Sequence, residues 1–299
     1  MDHLTLNVYL HDWGEQQELV TGALAPTLRS LRDAAMLRRA WFGRFDARGP
    51  HVYVLVSTPA GEAERARRTL ADAVDAWLAA HPALETLDDE TVRTRHAECR
   101  GKRLCALDDG PGFEAPGTYT FATGDARVYP LYVFPEDEAV WALLTEHALA
   151  NAAGVPEGQS ASAAGLRWLA AVDHALADAG ADAAEYWRHH AGTLLPGMAE
   201  RLSADEAAVL DALPRTIGER NLAAMDRVWA AVGAGEGGEA AERARRLVRA
   251  LLAGREPAAA WRLLRETNHG GLLQLGVPVR SHVPAVLYAW NRALRPATA

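Results

Sequence analysis

Hydrophobic and polar residues alternate at the start of the chain and then change to helical spacing. The alternation over Leu4–Leu10 predicts a half-buried strand, and the apolar spacing from Gly14 to about Arg39 predicts a helix. Two short apolar runs follow, Ala40–Phe45 and His51–Ser57. The turn-forming residues 46–50 between them predict a hairpin.

A further set of short elements is predicted before the middle of the chain. Ala60–Ala80 has helical spacing, and Asp88–Arg95 is typical of a strand. The glycines and prolines of residues 106–118 predict a loop. The strands Tyr119–Ala122 and Val128–Val133 are expected after it.

Beyond Pro135 the pattern is helical, with breaks at glycines and prolines. We therefore predict an α+β protein. Its N-terminal half, residues 1–135, has short, mostly antiparallel strands and helices, and its C-terminal half, 136–299, is helical. The two halves are expected to pack as a single domain over residues 1–299.

Composition limits the class of protein. The 299 residues are 49% hydrophobic, enough for a sizeable core, and their net charge of −8 does not favour a nucleic-acid partner. The N-terminus lacks the basic and apolar regions of a signal peptide, and no apolar run is long enough to span a membrane. We expect a soluble cytoplasmic protein. Lys102 is the only lysine among 31 basic residues, which suggests an actinobacterial, high-GC source.

Motifs for nucleotides, dinucleotides, catalytic zinc or a serine nucleophile are missing from the sequence. Cys99 and Cys105 are too few for a disulfide framework and are interpreted as ordinary thiols. His189 and His190 are adjacent on a predicted helix and diverge by about 100°, which does not favour metal ligation. No metal or cofactor is expected.

Candidate functional side chains gather first on the predicted hairpin. Period-two alternation puts His51 and Tyr53 on the face opposite the valines of their strand, and Arg44 on the partner strand can join them. The three residues predict one wall of a binding site. The alternative is a surface hairpin with ordinary polar decoration.

A second group lies on a predicted helix over residues 281–295. Its buried stripe is expected to be Val283, Val286, Leu287, Trp290 and Leu294. Ser281 and Tyr288 lie two turns apart on one side, with His282 near the helix N-terminus, which favours developing negative charge. Alternatively, Ser281 simply caps the helix, with Pro284 in its first turn. The glycine-rich segment 268–276 is expected to be a flexible loop, either a lid or a connection.

These two segments resemble the C-terminal, elimination-domain family of lantibiotic dehydratases, which also includes stand-alone thiopeptide biosynthesis proteins. The residues that match the family's hairpin are Trp41, Phe42, Arg44, Phe45, Gly49, Pro50 and His51. Asn291 and Arg292 match the pair near the end of the family's last helix. The resemblance covers most of the chain in order and spacing, and it implies the family's fold.

The chain departs from the family's elimination enzymes in three places. Tyr53 and Leu55 stand where those enzymes carry arginines, Leu287 and Tyr288 stand in place of His-Met, and a mid-chain Tyr-x-Pro-Glu stretch is missing. The thiopeptide pyridine synthases have drifted in this way. The resemblance therefore implies a formal four-plus-two aza-cycloaddition between two dehydroalanines of an azole peptide, with loss of water and leader to give a pyridine macrocycle.

Two alternatives to the pyridine synthase stay open. One is a split glutamate-elimination domain of a tRNA-dependent dehydratase, and the other is a non-catalytic partner that binds the precursor peptide. In each case the leader-bearing precursor is the expected partner, and other enzymes of the pathway are further candidates.

For the cycloaddition we expect Tyr288 and His282 to act as acid and base, with Ser281 as a hydrogen-bond relay. The expected substrate-binding residues are Arg44, His51, Tyr53, Asn268, His269, Gln274 and Trp290. Because leaders in these pathways are often acidic, four arginines of the first half are expected to contact the leader: Arg29, Arg32, Arg38 and Arg39. Alternatively, such arginines form ordinary solvated helix faces.

Overall fold

The computed structural model describes residues 1–45, 49–94, 114–123, 137–155, 160–194, 217–277 and 279–294. The chain forms two compact units, Met1–Gly154 and Val155–Ala299. The first unit contains an antiparallel sheet with helices, and the described part of the second unit is helical. The predicted α+β class is confirmed.

The sheet of the first unit has the strand order β2-β3-β1-β4. Its strands are β1 (Asp2–Tyr9), β2 (Arg39–Phe45), β3 (His51–Thr58) and β4 (Tyr119–Thr123). The predicted hairpin is present, with Phe45 opposite His51. Every residue of β3 is buried, because β3 is an inner strand and a helix packs against it. The hairpin is therefore not the surface element that the sequence left open.

Five helical segments are described in the first unit, besides the helical residues 89–94. They are α1 (Trp13–Leu19), a π-turn (Val20–Leu24), α2 (Ala25–Asp33), α3 (Ala63–Ala80) and α4 (Glu138–Ala152). The Asp12 side chain caps α1 by accepting a hydrogen bond from the Glu15 amide at 2.9 Å. The chain turns away from α2 at Ala35, whose φ is 57°. The helix predicted to reach Arg39 thus ends earlier.

One predicted strand of the first unit is wrong. Residues 89–94 are helical, whereas the apolar spacing of Asp88–Arg95 had predicted a strand. The Asp88 carboxylate accepts a hydrogen bond from the Thr91 amide at 2.8 Å, which is the bond of a helix cap. This local bond stabilises a helical turn at that position. The predicted strand Val128–Val133, Cys99, Cys105 and most of the loop 106–118 lie outside the described residues.

The helix α4 explains why the first unit extends to Gly154. It packs against β2, and the Thr145 hydroxyl accepts a hydrogen bond from the Ala40 amide at 3.0 Å. Arg39 of β2 forms an ion pair with Glu138 at the start of α4. The first helix of the predicted helical half therefore packs on the sheet of the preceding half.

The described helices of the second unit are named in chain order. They are α5 (Ala161–Asp178), α6 (Ala183–Leu194), α7 (Glu219–Ala231), a π-turn (Val232–Glu236), α8 (Gly238–Leu252), α9 (Pro257–Gln274) and α10 (Val279–Leu294). α8 buries Ala244, Leu247, Val248 and Leu251 at helical spacing and packs against α5. None of the described helices is both long and apolar enough to cross a membrane.

The glycine-rich segment 268–276 differs from its prediction as a flexible loop. Residues 268–274 are the last two turns of α9, and Asn268, Leu272 and Gln274 are buried there. Each glycine costs a helix about 1 kcal/mol relative to alanine. The buried contacts of Leu272 and the hydrogen bonds of Asn268 offset that cost.

Candidate active site

A cleft of about 500 Å³ lies between α5, α7 and the junction of α9 with α10. Most of its lining is apolar, and the polar side chains are Ser162, Asn221, Ser281 and His282. The apolar lining residues include Leu166, Leu169, Ile217, Met225, Leu272 and Val277. A cleft of this kind suits an apolar ligand that is held by a few polar contacts.

Gly165 sets the shape of this cleft. A β-carbon at position 165 would lie 2.8 Å from a methyl group of Leu272 and 3.0 Å from one of Val277. Those distances are shorter than ordinary contacts, so α5 reaches the α9–α10 junction only because residue 165 is glycine. The two helices then approach closely enough to form one wall.

Ser281 and His282 enter the cleft from the first turn of α10. The helix begins at Val279, so Ser281 lies inside it, and the alternative that Ser281 is the cap residue is wrong. Pro284 accordingly lies in the second turn, not the first. A hydroxyl at this end of a helix is close to its positive dipole, which stabilises nearby negative charge.

Both nitrogens of His282 have partners inside the protein. Nε2 lies 2.9 Å from the Val277 carbonyl, and Nδ1 lies 3.3 Å from Nδ1 of His269. A carbonyl only accepts hydrogen bonds, so the proton of neutral His282 is on Nε2. His269 must then donate from Nδ1. The pair fixes the tautomer of each ring.

Both histidines are neutral at ordinary pH. Burial, followed by the neighbouring His269, lowers the pKa of His282 to about 3. Burial and then the positive charge of Arg265 lower the pKa of His269 to about 4. Because both rings are uncharged, the cleft can accept an uncharged peptide without enclosing a cation.

Behind the histidine pair runs a buried chain of hydrogen bonds. The Trp168 indole donates to Asn268 at 2.8 Å, Asn268 donates to the Tyr186 hydroxyl at 2.6 Å, and the Tyr186 hydroxyl is hydrogen-bonded to Nδ1 of His190 at 3.2 Å. Tyr186 and His190 are fully buried. Burial raises the pKa of Tyr186 and lowers that of His190 well below its usual value. These hydrogen bonds hold Asn268, which is next to His269, in one orientation.

Tyr288 is placed differently from Ser281 and His282. Its side chain is buried, its hydroxyl donates to the Asp226 carboxylate, and Trp229 packs edge-on against its ring. Burial, followed by the charge of Asp226, raises the pKa of Tyr288. The side chains that line the cleft do not include Tyr288. It therefore lies along the same helix, with its proton directed at Asp226.

The predicted substrate-binding residues of the second unit lie in and behind the wall of the cleft. Asn268 and Gln274 are fully buried, and Trp290 is also fully buried in the core. His269 is partly exposed and contacts the His282 ring edge-on at 5.2 Å. A substrate would reach Gln274 or Trp290 only if the surrounding side chains moved.

The predicted residues of the hairpin lie in the first unit, and all three are buried. Arg44 donates to the Gln17 side chain at 2.5 Å and lies 4.6 Å above the Trp13 ring, and burial lowers its pKa to about 10. His51 donates to the Gly49 carbonyl at 2.8 Å. Tyr53 lies across Gly43 of the neighbouring strand, so closely that a β-carbon at position 43 would be 2.5 Å from the Tyr53 hydroxyl.

The four arginines expected to contact the leader are not alike. Arg29, Arg32 and Arg38 are exposed, and Arg32 lies 3.6 Å from Asp33. Arg39 is only 3% exposed, forms the ion pair with Glu138, and stacks over Trp141. Three of the four are therefore on the surface, and Arg39 is a core residue of β2.

Comparison with known proteins shows what the first part of the chain resembles. Residues 4–109 match the family described as lantibiotic biosynthesis dehydratase C-term. The predicted family resemblance is confirmed. The matched region contains the whole β2–β3 hairpin, and about two thirds of the chain, including α5–α10, lies beyond it.

The first two of three similar solved structures share the fold over nearly the whole chain. The pyridine synthase TbtD from thiomuracin biosynthesis is 21% identical, with a TM-score of 0.68 over 98% of this chain and 97% of that one. TsrL is 15% identical, with a TM-score of 0.51 over 98% and 94%. The lantibiotic dehydratase MibB from Microbispora sp. 107891 is 15% identical, with a TM-score of 0.48 over 97% of this chain and 28% of its own. No curated protein matches the chain in sequence.

Sequence reasoning found part of this site and missed the rest. It singled out Ser281, His282, Asn268 and His269, and the structure places these four in or beside one wall of the cleft. It missed Gly165, Tyr186 and the role of His190. Among the described residues, no three His, Cys, Asp or Glu side chains are grouped to hold a metal ion.

Proposed function

We propose that the chain is a thiopeptide pyridine synthase. It joins two dehydroalanines of a leader-bearing azole peptide by a formal four-plus-two aza-cycloaddition, and loss of water and leader then gives the pyridine ring. The observation that carries this proposal is the apolar cleft with Ser281 and His282 in its wall. The fold that the chain shares with a pyridine synthase supports it.

The first requirement of this reaction is proximity. Two alkenes far apart in the peptide must meet face to face, and well-oriented intramolecular reactions gain on the order of 7–11 kcal/mol in the best cases. A cleft of about 500 Å³ with a mainly apolar lining is large enough for two dehydroalanines and a neighbouring azole. The close approach of the helices at Gly165 forms one of its walls.

The second requirement is proton transfer to and from an amide. One amide must tautomerise to give the aza-diene, and water and the leader amide must later leave. Ser281 supplies a hydroxyl that both donates and accepts, near the positive end of the α10 dipole. His282 supplies an uncharged imidazole held by Val277 and His269. In this proposal Tyr288 exchanges protons through Asp226, its hydrogen-bonded partner.

Incubation with a dehydrated, azole-bearing precursor, followed by mass spectrometry of the products, tests the proposal. Release of free leader together with a pyridine macrocycle is the expected result. Loss of glutamate from a glutamylated precursor would instead identify an elimination enzyme. No change in mass with retained binding would identify a precursor-binding partner. Either of the last two outcomes overturns the proposal.

The variant Ser281→Ala sharpens this test. We expect it to lower the rate of macrocycle formation on the order of 100-fold, because it removes the hydroxyl nearest the helix dipole while leaving the apolar walls in place. Ser162→Ala is the matched control, since Ser162 also lines the cleft but lies on α5. It should keep most of the activity. Equal effects of the two variants would remove Ser281 from the proposed mechanism.

A further inference from the structure

A second recess, of about 350 Å³, adjoins the cleft. Ala224 lines both cavities, so they meet on the surface of α7. The remaining lining of the recess comes from α5, α7 and the π-turn that follows α7. Its charged side chains are Arg167, Arg227 and Glu236.

One stripe of α7 connects the cleft to this recess. Asn221, Ala224, Val228 and Ala231 follow each other at spacings of three and four, so they share one face of the helix. From Asn221 to Arg227 the helix rises by about 9 Å. About three residues of extended peptide span that distance.

Arg167 and Arg227 are exposed, and neither has a hydrogen bond or ion pair with a described residue. Some other arginines of the described residues are paired. Arg245 lies 3.3 Å from Asp178, and Arg67 lies 2.8 Å from Glu64. In a chain whose net charge is −8, two unpaired guanidinium groups in one recess are a local excess of positive charge. Glu236 offsets only one of them.

We propose that the recess beside Ala224 binds a carboxylate of the modified precursor peptide, about three residues along the peptide from the part that lies against Asn221 in the cleft. Guanidinium groups bind carboxylates through paired, charge-assisted hydrogen bonds, which makes arginine the side chain suited to this ligand. The carboxylate belongs either to an acidic side chain of the peptide or to its C-terminus. This inference rests on the proposed function only for the identity of the peptide.

Binding of a fluorescently labelled, dehydrated precursor to the full chain, followed by fluorescence polarisation, tests the inference. We expect Arg227→Gln to raise Kd on the order of 5-fold, and the double variant with Arg167→Gln roughly 10-fold to 30-fold. Glu236→Gln should lower Kd, because it removes the competing carboxylate. Arg220→Gln is the matched control. Arg220 is exposed on the same helix but does not line the recess, so Kd should not change.

Two neutralised peptides identify the source of the carboxylate. One peptide has a C-terminal amide, and the other has its acidic side chains changed to amides. The peptide that lacks the carboxylate bound by the recess should bind to the wild type and to the double variant with equal Kd. The inference is overturned if the double variant binds the unmodified peptide with the Kd of the wild type. It is also overturned if the double variant binds each of the two neutral peptides more weakly than the wild type does, and by the same factor. Because binding needs no turnover, a chain that binds as expected but makes no pyridine contradicts the proposed function alone.

Discussion

The sequence singled out two groups of residues, one on the hairpin of the first unit and one at the cleft of the second. The side chains of the two groups have different surroundings. In the hairpin, Arg44 and His51 donate hydrogen bonds to neighbouring groups of the protein, and Tyr53 packs across a glycine. In the cleft, Ser281 and His282 lie in the wall of a cavity. Polar residues in a pattern thus predict an element, but they do not tell whether its side chains meet a ligand or the core.

The largest expected effect is a loss of stability caused by a substitution in the hairpin. In Gly43→Val the new β-carbon would lie 2.5 Å from the Tyr53 hydroxyl, on the edge strand β2, which packs against both β3 and α4. We expect the free energy of unfolding to fall by about 3 kcal/mol, as for severe overpacking of a core. Urea unfolding measures it.

A second substitution separates overpacking from a general intolerance of Gly43→Val. Adding Tyr53→Ala to Gly43→Val removes the obstructing ring, so the double variant should lose less than the sum of the two single losses. Gly22→Ala is the control, because a β-carbon at Gly22 meets nothing within 4 Å. Strict additivity in the double variant would contradict the packing of Tyr53 on Gly43.

The hairpin shows how far periodicity goes. Alternation gave β1, β2 and β3 within one or two residues, because side chains on a strand point to opposite faces in turn. It also put His51 and Tyr53 on one face. Their burial was not predictable, because it depends on the inner position of β3 and on the helices that cover the sheet. Those contacts come from residues distant in sequence.

The next effect concerns the histidine pair of the cleft. In the folded chain the pKa values of His269 and His282 are about 4 and about 3, below the ordinary histidine value of 6.5. Between pH 6.5 and pH 4 the unfolded chain therefore binds more protons than the folded one. We expect the free energy of unfolding to decrease as the pH falls through this window.

His269→Gln tests the origin of that decrease. A glutamine amide can still donate to His282 but does not titrate, so the slope between pH 6.5 and pH 4 should become smaller than in the wild type. Part of the slope should remain, because His190 faces the same group and its pKa is also lowered, with Arg265 and His189 adding positive charge. The control Ser162→Ala removes no titratable group and should leave the slope unchanged. The same slope in wild type and His269→Gln would contradict the assignment.

The cleft shows where sequence reasoning stopped. Helical spacing found α10 and put Ser281 and His282 near its start, but the three glycines of segment 268–276 led to a loop where α9 continues. One signal was present in the sequence. Asn268 is spaced by four from Leu264 and from Leu272, so a continued helix would bury it with them, and a buried amide needs partners. Its partners Trp168 and Tyr186 are 100 and 82 residues away and carry no local pattern.

The smallest expected change in stability decides the role of Tyr288. In Tyr288→Phe the hydroxyl is lost, but Asp226 is exposed and water can replace its partner, so the free energy of unfolding should fall by about 1 kcal/mol. If Tyr288 is the acid of the reaction, kcat should nevertheless fall on the order of 100-fold. Single-turnover assays of macrocycle formation measure this loss, and intact turnover would exclude Tyr288 from the chemistry.

Two further variants tie that result to the contrast between hairpin and cleft. Tyr53→Phe removes the corresponding hydroxyl in the hairpin, where the ring serves packing on Gly43, so kcat should stay within a few-fold of wild type. Asp226→Asn keeps the Tyr288 hydroxyl and removes the charge that helps to raise its pKa. The high-pH limb of kcat should then move to lower pH if Tyr288 donates the proton. A purely structural tyrosine would leave that limb in place, and a Tyr53→Phe loss as large as that of Tyr288→Phe would place the hairpin in the reaction as well.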